Sequence, residues 1–209
     1  MLKLSNVSIE LNNKSVIEKF SLELKRGEIV LLQGKTDVEL EAFVGLLQGR
    51  LSPTEGLYEF MGEEVSRFSI TKATSFRKSQ LVYAKLREDF GLNITVEKLL
   101  QQPLKYSGIY PSKWKRRLEA VGQLLEIKAL MQKDIAELNA MEAFKAYIGR
   151  GIILEPKLIL VKNPIQLYTE LKLTNIKLVV DKLKSLEIGI CFLSTDNQLN
   201  GIVDEHYIL

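Results

Sequence analysis

Three short apolar stretches without a charged residue, Ile29-Val30-Leu31-Leu32, Leu158-Ile159-Leu160-Val161 and residues 188–193, constrain this chain more than any other feature. A strand with one wetted face alternates apolar and polar residues, whereas unbroken apolar strands suit sheets covered on both faces. After the first stretch and Gly34, the apolar residues Leu40, Phe43, Val44 and Leu47 recur at helical spacing, and 171–186 reads as a helix between the other two stretches. Strands separated by helices predict an α/β fold with a parallel core.

The flanking regions differ. Leu2, Leu4 and Val7, then Ile17, Phe20, Leu22 and Leu24, alternate around the polar pair Asn12-Asn13, which predicts a hairpin-like antiparallel β portion. Ser52-Pro53-Thr54-Glu55-Gly56 reads as a turn. Helical patterning dominates from about Thr95, with Pro103, Gly108 and Pro111 as breaks, so residues 85–149 are expected to be a helical subdomain inserted in one unit spanning 1–209. A last short strand is expected at 206–209.

With 209 residues the chain can bury one substantial core. A net charge of +3 is too small to suggest a nucleic-acid partner or a polybasic membrane surface. Lys113-Trp114-Lys115-Arg116-Arg117 reads as a charged helix start after Pro111, and Lys72, Arg77 and Lys78 as a solvated edge. Cys191 lies in an apolar run, which fits a buried thiol in a reducing cytoplasm. No stretch approaches the roughly 18 apolar residues of a spanning helix, and the N-terminus has no signal-peptide layout.

Several phrases in order, Leu4-Ser5-Asn6-Val7-Ser8, Gly27-Glu28-Ile29-Val30, Leu51-Ser52-Pro53-Thr54-Glu55-Gly56, Thr95-Val96-Glu97, Pro103-Leu104-Lys105-Tyr106-Ser107-Gly108 and Glu155-Pro156-Lys157-Leu158-Ile159-Leu160, make the chain resemble the ATP-binding subunits of ABC transporters over nearly its whole length. The resemblance is greatest to the branch serving lipoprotein release, macrolide export and cell division. It implies a P-loop NTPase-like parallel core with a flanking antiparallel β portion and an inserted helical subdomain.

The residues that carry that family's chemistry are missing. Its phosphate loop, G-x-x-x-x-G-K-[ST], cradles phosphates with backbone amides and neutralises them with the lysine. Aligned without a gap, Gly34 keeps the first glycine, but Glu39, Leu40 and Glu41 stand at the second glycine, the lysine and the hydroxyl. The strand that should end in Asp-Glu ends in Lys162 and Asn163; an ammonium cannot ligate a cation and an amide is no general base. The adenine-stacking aromatic falls near Leu11, the coupling-loop glutamine at Ala84 and the switch histidine at Thr195, while His206 lies elsewhere. In place of L-S-G-G-x-Q the chain has Leu138-Asn139-Ala140-Met141-Glu142-Ala143, where Met141 is expected to obstruct a phosphate-facing surface. Because each site of this family combines the loop of one chain with the signature of another, an active partner would complete neither site.

Two expectations follow for the vacated positions. The carboxylates of Asp37, Glu39 and Glu41 are expected to take the anion's role at the helix start; ordinary first-turn capping is the other reading, and the two can both hold. Glu41 and Lys162 either pair, the ammonium standing where a metal stood, or both face water, where a pair contributes only about 0–1 kcal/mol. The resemblance further implies that the region of Ala84, Phe90 and Leu92 grips a permease, although apolar residues after a loop are more often core than interface. The expected function is a catalytically inactive subunit without cofactor, metal site or catalytic residue. It is expected to act as scaffold or regulator of a permease-like integral membrane protein, as a homodimer or with a related subunit, at the cytoplasmic face of the membrane. The alternatives are a residual ATPase or nucleotide sensor, for which Gly34 and Lys35 speak, and a soluble interaction module with no membrane partner.

Overall fold

A computed structural model of the chain describes residues 1–65, 70–76, 80–85, 94–162 and 173–209. Strands β1 (Leu2–Leu11) and β2 (Lys14–Leu24) form the antiparallel hairpin, turning through Asn12 and Asn13 at φ 52° and 60°. Two consecutive left-handed residues give the turn that matches the strand twist, and asparagine tolerates that conformation. Adding β4 (Glu55–Phe60) and β5 (Glu63–Glu64) gives a sheet in the order β2-β1-β4-β5. Gly56, read above as part of a turn, is the second residue of β4 at φ 85°, and a Cβ there would lie 2.3 Å from the Asn6 carbonyl oxygen, so the two strands can approach only at glycine.

The second sheet is parallel, ordered β6-β7-β8-β3-β9, from β3 (Ile29–Gln33), β6 (Leu81–Lys85), β7 (Leu158–Lys162), β8 (Gly189–Ser194) and β9 (Glu205–Ile208). Alternate residues of its strands enter different cores, which is why the strands read as continuous apolar runs. Ile29, Leu31, Ile159, Val161, Ile190 and Phe192 face helices α3 (Val96–Tyr106), α5 (Ala140–Ile152) and α6 (Leu173–Lys184), through Leu100, Phe144 and Val180 among others. Val30, Leu32, Leu160 and Leu193 face the antiparallel sheet and α1 (Asp37–Leu47), where Phe43 is fully buried. Each such fully buried side chain contributes roughly 1.5–3 kcal/mol.

Other details depart from the sequence reading. The reading assigns no strand to β6, whose apolar stretch Leu81-Val82-Tyr83 is short and is followed by Ala84 and Lys85. Pro103 does not break a helix: α3 runs through it and ends at Ser107-Gly108, with Gly108 at φ 74°. An interior proline costs about 3 kcal/mol, and full burial of Leu99, Leu100 and Leu104 on the same helix offsets it. Helix α4 (Trp114–Leu124) follows a short 3-10 turn at Pro111–Lys113. Helix α5 extends to Ile152, past the boundary drawn at 149. The small helix α2 (Ile70–Ser75) lies between β5 and β6 in sequence. Arg77, Lys78, Phe90, Leu92 and Asn163 lie outside the described residues.

Candidate functional site

The C-terminal edge of a parallel sheet is where loops converge and where α/β proteins place ligands. Here that edge presents Gly34 after β3, Lys162 at the end of β7 and Ser194 at the end of β8. Gly34 is fixed by its amide, which donates to the Ser194 carbonyl at 3.0 Å. Only Lys35 and Thr36 then separate it from α1. Of the four residues between the motif's two glycine positions, Asp37 and Val38 are therefore already helical.

Side chains at the start of α1 satisfy the amides of Lys35, Thr36 and Glu39. Thr36 caps the helix by accepting from the Glu39 amide at 3.2 Å, and the Glu39 carboxylate reaches back to the amides of Lys35 at 2.6 Å and Thr36 at 3.4 Å. This capping box places a negative group against amides and a positive dipole end that are otherwise open to an anion. Leu40 turns inward and is 1% exposed, and an atom added to Gly34 as Cβ would lie 2.9 Å from its Cγ and Cδ2.

On the outer side of α1, Lys162 closes the gap between the helix and β7. Its ammonium lies 2.9 Å from Glu41 Oε1 and 3.1 Å from Asp37 Oδ1, and Tyr83 of β6 donates its hydroxyl to Glu41 at 3.3 Å. The Lys162 side chain is 19% exposed, against 46% for Glu41 and 75% for Asp37. Burial pulls the ammonium towards neutrality, but hydrogen bonds and charge from Glu41 and Asp37 together outweigh it and hold the group above the usual lysine value. It carries its charge at neutral pH and bridges two carboxylates one helical turn apart.

The start of α5 repeats the arrangement of α1. Asn139 caps that helix by accepting from the Glu142 amide at 2.9 Å, and Glu142 accepts from the Asn139 amide at 3.0 Å. Ala140 is the first helical residue. Met141 is half-buried against the helical-side core, and the Glu142 carboxylate lies on the Asn139 amide. Each cap of this kind contributes about 1 kcal/mol.

Ala84 is 3% exposed in β6 and packs towards Gly151, and both residues line a groove beside α3 and α5. Thr195 is exposed after β8, where Asp196 donates its amide to Ser194 Oγ and accepts from the Gln198 amide, forming a local turn. His206 on β9 sits 3.1 Å from Gln33 Oε1. Cys191 is fully buried, and burial pushes its thiol up to about 12. The sequence reading missed Thr36 and Tyr83. Thr36-x-x-Glu39 and Asn139-x-x-Glu142 are both legible as capping boxes, whereas nothing in the sequence signals that Tyr83 reaches Glu41. Among the described residues no helix is long and apolar enough to cross a membrane.

No family model matches the chain. Among curated proteins it is similar to the ABC transporter ATP-binding protein YtrE of Bacillus subtilis, 25% identical over 155 residues, which span 73% of this chain and 66% of that protein. It is also similar to the ergothioneine transport ATP-binding protein EgtV of Helicobacter pylori, 24% identical over 189 residues, 90% of this chain and 84% of that protein. Among solved structures it overlays cbiO1 of Clostridium perfringens, part of the ABC transporter complex cbiONQ, with a TM-score of 0.83 at 18% identity, covering 99% of this chain and 83% of that one. A dimeric ATP-binding cassette in a post-hydrolysis state, bound to ADP and Pi, overlays with a TM-score of 0.75 at 16% identity, covering 100% of this chain and 94% of that one. The chain has the fold of an ATP-binding cassette.

Proposed function

We propose that this chain is an ABC transporter ATP-binding-type subunit that has exchanged nucleotide for internal side chains, and that it serves a permease-like membrane protein as a scaffold or regulator without hydrolysing ATP. One observation carries the reading: Glu39 occupies the loop amides while Lys162 bridges Asp37 and Glu41. A polyphosphate and its magnesium do not fit these residues. An incoming phosphate meets a carboxylate where it needs amides, and a cation meets an ammonium where it needs carboxylates. Glu142 at the start of α5 extends the same reading to the surface that a second subunit would present.

The cassette fold supports a place at the cytoplasmic face of a membrane, on a permease, as a homodimer or beside a related subunit. A groove of about 240 Å³ between β6, α3 and α5, lined by Tyr83, Pro103, Tyr106 and Leu154, is suited to receive a helix end from such a partner. Tyr106 there is 74% exposed, a large aromatic left in water.

Calorimetric titration with ATP and magnesium tests the first half: no saturable binding is expected into the millimolar range. Micromolar, magnesium-dependent binding lost on changing Gly34 overturns it in favour of a nucleotide sensor. For the second half, the chain is expected to co-purify from its native cells with a multi-span membrane protein, and Tyr106→Arg to abolish that association while leaving the circular dichroism unchanged. Undiminished co-purification of the variant removes this groove from the interface, and absence of any membrane partner favours the soluble module.

A further inference from the structure

At the opposite end of the parallel sheet from Gly34 and Lys162, a cavity of about 430 Å³ opens between α4 and the segments that lead into β3, β7 and β8. Its walls are of core quality: Val121 and Leu124 from α4, Ile153 after α5 and Ile188 before β8, with Val121, Ile153 and Ile188 only 7%, 1% and 7% exposed. The volume falls in the range of small-molecule pockets, roughly 300–1,000 Å³.

The rim is charged, and its charges do not balance. Arg117 is fixed by donating to the Ile153 carbonyl at 2.7 Å and to Glu155 at 3.1 Å. Arg26 faces Glu187 at 3.9 Å, both well exposed. Lys157 also lines the cavity and is exposed, and among the described residues it makes no ion pair. Three cations against two carboxylates leave one positive charge at the mouth of an apolar chamber. A ligand that complements both has an apolar body and one negative headgroup; a neutral hydrocarbon would leave the ammonium unused, and a polyphosphate would leave the walls unfilled.

We propose that this cavity is a binding site for an amphipathic monoanion of the medium-chain carboxylate class, with the chain against Val121, Leu124, Ile153 and Ile188 and the carboxylate at Lys157. The site is separate from the nucleotide-side edge and does not depend on the reading given for it. Between α4 and the sheet, an occupied cavity stiffens the packing of the helical layer against the core.

Potassium decanoate below its micellar concentration is the probe, followed by isothermal titration calorimetry on the full chain. Binding at one site per chain is expected, with hexanoate weaker by about tenfold or more because fewer methylenes are buried. Ala120 is exposed on α4 and lines the mouth, so Ala120→Trp fills the entrance without disturbing the core and is expected to weaken decanoate by about tenfold. Lys157→Glu is expected to weaken decanoate by a similar factor and to leave decanol unchanged. Circular dichroism of both variants establishes that they are folded. Absence of saturable decanoate binding, many weak sites per chain, or full affinity in folded Ala120→Trp overturns the site. Equal loss of decanoate and decanol in Lys157→Glu overturns the assignment of an anionic headgroup.

Discussion

Returning a lysine to position 40 by Leu40→Lys is expected to destabilise the chain by about 3–5 kcal/mol and not to create a phosphate site. Leu40 is 1% exposed and sits in the core between the two sheets with Phe43 and Val44 on the same helix. Removing its branched end from beside Gly34 leaves a gap, and an ammonium placed there has a carboxylate only if the lysine stem bends out towards the α1 start, which the length of lysine allows in part. Glu39 already lies on the Lys35 and Thr36 amides, so the substitution does not free those two for phosphate. For a chain of this size each kcal/mol lowers the melting temperature by about 2–4 °C, so a drop on the order of 10 °C is expected in a thermal melt, with an unchanged urea slope. A variant as stable as the parent that binds ATP with magnesium shows that the site is only dormant, and the reading of Glu39 as a resident anion then fails.

The parallel core was legible because burial on both faces leaves an unmistakable trace: Val30 and Leu31 enter different cores, so neither can be polar. Strand β6 was not, since a three-residue apolar stretch carries too little periodicity to separate strand from helix. Pro103 misled for a related reason. Local propensity marks it as a breaker, but the burial of Leu99, Leu100 and Leu104 that overrides it is a tertiary fact. At the site, residue identity located Glu39, Glu41 and Lys162 but not the depth of their arrangement. That Asp37 joins Glu41 on the same ammonium follows from one helical turn packed beside the end of β7, and that register is invisible along the chain.

If the Lys162 ammonium stands in for a metal, then Lys162→Asp should make the chain respond to divalent cations. The substitution places a third carboxylate near Asp37 and Glu41, where among the described residues no three acidic, histidine or cysteine side chains now converge. Like charges at that spacing repel, and the two partners lose their bridge. Because Glu41 and Asp37 are 46% and 75% exposed, solvent screens much of this, and a cost of about 2 kcal/mol is expected. Three carboxylates are a hard oxygen set of the kind that holds magnesium or calcium. A cation binding only the folded form returns about 1.4 kcal/mol at ten times its dissociation constant, so the variant's melting temperature should rise by several degrees in millimolar calcium while the parent's stays constant. Lys162→Met separates the two effects: it removes the bridge without completing an acidic cluster and should lose stability with no cation response. The comparison belongs near neutral pH. Since the folded-state lysine is held above its ordinary value, its contribution is complete below that ordinary value and disappears only as pH climbs through the raised one. Indifference of Lys162→Asp to both cations means that the ammonium bridges two surface acids and nothing more, and that the resemblance to a metal's place is an accident of alignment.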